Sequence, residues 1–221
     1  MKKRISSSVL GLVIWSGITV ASAQGQGSFS MQLVADNDFA VFGGTATGVS
    51  DLLYQNNDAW PQQITSLSSL NFLLPAGDSM FYILGIGGGG QENISGTVND
   101  IDITSILVSM SSDLGPYLSD YENQVTLDGG GTPGAGTYNA SLADVQTAFG
   151  NLTWGSPTKN TTDAVIQQAS PNGVGYDFPS DTAHLFGFSA SEVGVQPAPE
   201  PSTLALVGLG GTGWMLYRRR K

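Results

Sequence analysis

Few residues in this chain can do chemistry, and those that can are mostly oxygen ligands. His184 is the only histidine and there is no cysteine, so thiol nucleophiles, zinc-thiolate centres and disulfides are absent from the sequence. His184 stands in the run His184-Leu185-Phe186-Gly187-Phe188, which predicts a strand position, buried or at a rim, in preference to a general base. No Gly-x-Ser-x-Gly elbow accompanies it. Asp36-Asn37-Asp38 places three oxygen-bearing side chains in succession, and Asp100 and Asp102 add two more. A hard cation such as calcium takes about six to eight oxygens. The triplet is followed by Phe39 and not by the ligand spacing of an EF-hand loop, so the competing reading is turn capping by Asp and Asn. A sugar site would set exposed aromatic rings beside Asp and Asn, and Tyr54, Trp60 and Trp154 are its candidates, each also suited to a core. Carboxylate pairs for glycoside hydrolysis stay open among 18 acidic residues. The glycine runs carry no P-loop lysine, which argues against a phosphate cradle.

Charge decides between partner classes. Seven of the eight basic residues lie in Met1–Arg4 or Arg218–Lys221, leaving Lys159 alone against all 18 acidic residues between them, a net charge of −17 for that stretch. Nucleic acid and anionic membrane surfaces both draw on clustered Lys and Arg, so neither is an expected partner of the body. An acidic body stays soluble by self-repulsion and suits life outside a cell. Stability without disulfides requires a packed core, which about 170 residues can supply.

The two ends are not part of that core. Residues 1–23 combine a basic start, an apolar run from Val9 to Val20 and the small-x-small site Ala21-Ser22-Ala23, the layout of a secretory signal cut before Gln24 by signal peptidase. At the other end, Pro197-Ala198-Pro199-Glu200-Pro201 forbids helix and reads as an extended spacer. The apolar stretch 204–217 follows, then Arg218-Arg219-Arg220-Lys221. Fourteen residues make a helix of about 21 Å, short for a bilayer core of about 30 Å. It inserts if Trp214 and Tyr217 sit at the interface and the basic cluster stays in the cytoplasm.

This tail resembles the tripartite PEP-CTERM sorting signal: Pro199-Glu200-Pro201 with Ser202, a short transmembrane segment and a terminal Arg-rich cluster, in that order. The resemblance implies an exosortase-type transpeptidase in the inner membrane of a Gram-negative bacterium as partner. It also implies cleavage near the motif, delivery to the surface, and association with exopolysaccharide or matrix.

Between the ends, residues 24–196 alternate short apolar runs with Gly, Asn, Asp, Ser and Pro, the texture of short antiparallel strands. Phe29, Met31 and Leu33 mark a half-buried strand; Phe39–Phe42 a second, stopped by Gly43-Gly44; Leu70, Phe72 and Leu74 another, before a turn at Pro75-Ala76-Gly77-Asp78 in which Pro75 presets φ and Gly77 accepts a positive one. Met80–Ile86 is apolar on both faces and belongs at the centre of a sheet. Ile101, Ile103 and Ile106–Val108 predict one or two more strands, and Asp128–Gly136 a loop. Ser141-Leu142-Ala143-Asp144 resembles a capping box opening one short helix, and strand character returns at Trp154 and at His184–Phe188. The expected fold is all-β, a β-sandwich of the jelly-roll kind with one short helix. Ala35–Phe42, Trp60 and the Pro75–Asp78 turn leading into Phe81–Leu84 are similar, in order, to galactose-binding-like jelly-roll modules. Three functions follow as expectations: a non-catalytic structural or adhesive surface protein, a carbohydrate-binding module with structural calcium, and a secreted glycan hydrolase.

Overall fold

Apolar alternation with a two-residue period makes strands, and nearly half of the described residues are in them. The computed structural model describes residues 27–35, 38–56, 63, 65–66, 72–88, 92–119, 121, 138–162, 170 and 172–196. The signal-like segment, residues 128–136 and the tail from 197 lie outside them. In chain order the strands are β1 (Ser28–Phe29), β2 (Met31–Ala35), β3 (Asp38–Thr45), β4 (Gly48–Gln55), β5 (Thr65–Ser66), β6 (Phe72–Leu73), β7 (Met80–Ile86), β8 (Glu92–Val98), β9 (Ile101–Asp102), β10 (Ser109–Ser111), β11 (Trp154–Gly155), β12 (Thr158–Asn160), β13 (Gly175–Phe178) and β14 (Ala183–Ser189), with helix α1 at Leu142–Phe149.

All pairings are antiparallel. One sheet runs β11-β10-β14-β7-β3-β4, a second β12-β13-β8-β2-β5 with β9 on β8, and β1 pairs with β6. Phe39, Val41, Phe81, Ile83, Phe186 and Phe188 of the first sheet meet Met31, Leu33, Ile94, Val98, Tyr176 and Phe178 of the second in one core. These are the inward-facing sets of a β-sandwich. The alternate residues of the same central strands, Ala40, Phe42, Tyr82, Leu84 and Leu185, face outward but are covered by Val145 and Ala148 of α1 and by Leu114, Leu118 and Tyr138. The first sheet is therefore buried on both sides, which is why β7 reads as an unbroken apolar run. Each fully buried side chain of this size contributes about 1.5–3 kcal/mol.

At one end the chain passes between the sheets from β2 to β3, from β7 to β8 and from β13 to β14; Asp38 and Ala183 both pair with Ile86 there. This is the crossover pole. The opposite pole carries the β3–β4 hairpin and the Asn99-Asp100 turn, both of whose residues have positive φ, 49° and 62°, as a two-residue hairpin of the primed type requires.

Four local expectations change. β3 does not stop at Gly43-Gly44 but continues to Thr45, its register slipping against β4 at Val41/Phe42 and Gly43/Gly44; glycine there lets the strands close, since a Cβ on Gly44 would lie 2.9 Å from Val49 Cα. Ile106–Val108 is not a strand. Asp102 Oδ1 accepts the Thr104 N–H at 2.8 Å and turns the chain into a 3-10 segment at Ile103–Ser105, so the next strand begins at Ser109. In the Pro75–Asp78 turn, Asp78 N–H bonds Pro75 O at 3.1 Å, which puts Pro75 at the first turn position, where its fixed φ is not needed; Gly77 does take a positive φ, 96°. Finally, Ser141 caps α1 by accepting the Asp144 N–H, but Asp144 does not reach back. Its carboxylate takes the Ser119 hydroxyl at 2.7 Å and Ser119 N–H at 3.0 Å, bonds that hold it below the usual aspartate range.

Candidate functional site

Among the described residues, the polar side chains singled out in the sequence do not converge. Asp38 opens β3 at the crossover pole and is 3 % exposed. Its Oδ1 accepts the Asn56 side-chain amide at 3.1 Å and its Oδ2 the Tyr138 N–H at 2.8 Å, bonds that tie β3 to the end of β4 and to the segment before α1. Asp36 and Asn37 lie outside the described residues. Asp100 and Asp102 sit at the opposite pole, where Asp102 caps the 3-10 segment and accepts the Ser170 hydroxyl at 2.6 Å. Among the described residues no group of three or more His, Asp and Glu is placed to hold a metal ion. His184 is 5 % exposed on β14; its Nδ1 faces Ser111 O at 2.8 Å and its Nε2 lies 2.9 Å from the Thr182 hydroxyl. Tyr54 is half-buried with its ring 5.7 Å from Phe39 and 6.1 Å from Phe72, turned to the inter-sheet core. Trp60 lies outside the described residues.

A buried carboxyl that the sequence did not distinguish from turn chemistry is Asp78. Its Oδ1 accepts the Ser50 hydroxyl at 2.5 Å, while Oδ2 has no hydrogen bond and abuts Gly43. Burial, opposed by the Ser50 hydrogen bond and reinforced by Asp51, raises its pKa above the ordinary 3.8. The folded state thus holds this proton more tightly than the unfolded chain does, and stability declines as pH rises from about 3.8 through the folded value. Asp78→Asn keeps an acceptor for Ser50 and removes the charge. The melting temperature of the variant relative to wild type is expected to be more favourable at pH 7 than at pH 3.5; a difference independent of pH would contradict the assignment.

Aromatic rings gather elsewhere, on the outer face of the first sheet near the hairpin pole. Tyr82 of β7, Phe149 at the end of α1 and Trp154 of β11 form a triangle with centroids 5.2, 5.4 and 5.9 Å apart. With Met80, Ser109, Gly187 and Ala46 of the β3–β4 hairpin they line an open groove of about 180 Å³. Gly187 is required: a Cβ there would lie 2.8 Å from the Tyr82 ring and 3.4 Å from that of Trp154. Tyr82 donates its hydroxyl to Thr45 O at 2.6 Å, and burial pushes its pKa up to about 12, so it stays a donor at neutral pH. Trp154 is 37 % exposed, and no charged side chain lines the groove. Trp154 was legible as an aromatic in a strand, but its meeting with Tyr82 depends on β14 lying between β10 and β7, which spacing does not reveal.

The two ends of the body meet at the same pole. The Gly27 Cα faces Val195 and Gln196 so closely that a Cβ would lie 2.7 Å from Val195 Cγ1. Asn99 fastens both ends: its Oδ1 accepts the Ser30 N–H at 2.9 Å and its Nδ2 donates to Val193 O at 2.9 Å. Val193 and Val195 are buried in the inter-sheet core, so the fold is anchored to within two residues of Pro197.

Neither the curated proteins nor the solved structures contain a match to this chain. Among the described residues no helix is long and apolar enough to cross a membrane; the apolar stretch 204–217 is outside them. The tail does match a family: residues 197–221 fit the PEP-CTERM protein-sorting motif, so the chain carries at its C-terminus the sorting signal of an exosortase substrate.

Proposed function

We infer that the chain is an exported cell-surface or extracellular-matrix protein whose β-sandwich body is non-catalytic, structural or adhesive. Residues 1–23 direct export and are removed by signal peptidase. The segment 204–217 holds the precursor in the inner membrane with residues 218–221 in the cytoplasm. Exosortase then cuts near Pro199-Glu200-Pro201 and passes the body to the surface, where exopolysaccharide is the expected neighbour. The observation that carries this reading is the sorting motif at 197–221. Its position supports the topology: a body packed up to Val195 and a motif beginning at Pro197 leave the tail emerging from a folded surface, with the apolar stretch about 25 Å further on if the spacer is extended. The acidic composition suits an extracellular body, and without cysteine its stability rests on packing.

The test is accessibility. Protease added to intact cells should remove the body, and the protein purified from the surface should begin at Gln24. A protein that starts at Met1 and resists protease until the cells are lysed would overturn the reading.

A further inference from the structure

We propose that the pole where the chain leaves the body, the patch around Asp100 and Glu192, is a face that docks on exosortase during cleavage. The proposal rests on the sorting reading of residues 197–221 and adds a second contact to it, made by the folded body and not by the motif.

Tether length is the first argument. Val193 and Val195 are buried in the inter-sheet core, and Val195 N–H bonds Ala190 O at 3.0 Å. Gln196 still lies against Gly27, whose virtual Cβ would be 2.9 Å from Gln196 O. The packing of the body therefore ends at Gln196. From there to Glu200 is four residues, about 12 Å if the proline-rich spacer is extended. A body of about 170 residues has a radius of gyration of about 15 Å. A membrane enzyme built of several helices, each about 10–12 Å across, is wider than this tether is long. An enzyme that grips the Pro-Glu-Pro residues thus meets the body as well. Three of the five residues 197–201 are proline, which makes the spacer stiff, so the body cannot swing round to present another face.

The fold decides which residues surround the exit. Asn99 Oδ1 accepts the Ser30 N–H and its Nδ2 donates to Val193 O, both at 2.9 Å. These bonds join the Asn99-Asp100 turn to the 3-10 segment Ala190–Val193 beside Gly27. Asp100 follows Asn99 and Glu192 precedes Val193, and both are exposed. The one basic residue of the body, Lys159, is engaged elsewhere, donating to Thr104 O at 2.8 Å. The exposed charges flanking the exit are therefore acidic.

Charge names the kind of partner. Enzyme groups that receive Glu200 are cationic, and the same sign suits Asp100 and Glu192 a tether's length away. Anionic lipid headgroups, the other surface within reach, repel an acidic pole. The pole fits a basic protein surface on the outer side of the inner membrane.

The test follows cleavage of the full precursor by pulse–chase in the native host. Asp100→Asn suits the positive φ of 62° at that position, and Glu192→Lys reverses an exposed charge, so the melting temperature should stay at the wild-type value. The double variant should lengthen the precursor's half-life by about threefold or more, since charge at a docking surface acts mainly on the rate of encounter. A second background carries about twenty Gly and Ser residues between Gln196 and Pro197, which add about 25 Å of reach and let the body stand off. There the same double substitution should leave the half-life unchanged. No slowing with the native spacer would overturn the proposal. So would equal slowing with both spacers, which would place the effect in export or folding, or faster cleavage of the double variant, which would show the pole meeting anionic headgroups. In each of these outcomes the wild-type precursor is still cut, so the sorting reading stands; a wild-type precursor that is never cut would overturn both.

Discussion

Replacing Pro199, Glu200 and Pro201 together by alanine is expected to leave an uncleaved precursor in the inner membrane and to abolish surface delivery. A plain tail anchor needs apolarity and flanking basic residues, and the triple change touches neither, so an anchor would insert as before. A sorting signal is read by an enzyme that grips an extended backbone. Pro199 and Pro201 fix φ near −65° and bar helix, while Glu200 supplies one charge for recognition. Alanine at all three positions lifts the bar to helix and removes that charge. The body should be untouched, because its packing closes at Val193 and Val195. Membrane fractionation with an antibody to the body checks both points, and normal processing of the variant would reduce the tail to an anchor.

Gly96→Ala is expected to cost about 3–5 kcal/mol, the sum of left-handed strain and forced overpacking, which is a large part of the roughly 5–15 kcal/mol that keeps a domain folded. Gly96 lies in the middle of β8 opposite Leu33, with φ of 132°. A Cβ there would sit 2.9 Å from Leu33 Cα and 2.9 Å from Gln32 C, and would collide with Gln32 O. These are backbone atoms of a paired strand and cannot rotate away. Gly150→Ala is the control, since that glycine has φ of −68° and nothing within 4 Å of its virtual Cβ. Urea unfolding should show a much lower midpoint for Gly96→Ala and a nearly unchanged one for Gly150→Ala; equal midpoints would mean β8 is not packed as described.

How much of this was legible follows from what periodicity encodes. The two-residue period assigns a residue to a face, so the strands at Phe39–Phe42, Met80–Ile86 and His184–Phe188 were readable, as was the two-sided burial of β7. It does not say which strand lies beside which. The sandwich was therefore predictable, but the order β14-β7-β3 and the groove that depends on it were not. Turn chemistry was half legible: Gly77 was assigned its positive φ from composition, whereas Asn99-Asp100 carried the same signal and went unused, so the Asn99 clasp on Ser30 and Val193 was missed. Asp102 shows the limit of strand reasoning, because one carboxylate accepting a local N–H overrode the apolar run after it. Gly96 gave no warning at all, since the need for glycine comes from the approach of β2. The tail was the most legible part, because a sorting signal acts through sequence order and not through a fold.

The central claim is that the tail is cut by exosortase, and the identity of the mature C-terminus tests it most directly. Intact mass and C-terminal peptide mapping of the surface protein from the native host should find a chain that ends near Pro199-Glu200-Pro201 and lacks residues 204–221. The same protein from cells without exosortase should stay in the membrane fraction and end at Lys221. A surface protein that still ends at Lys221 in exosortase-positive cells would contradict the account.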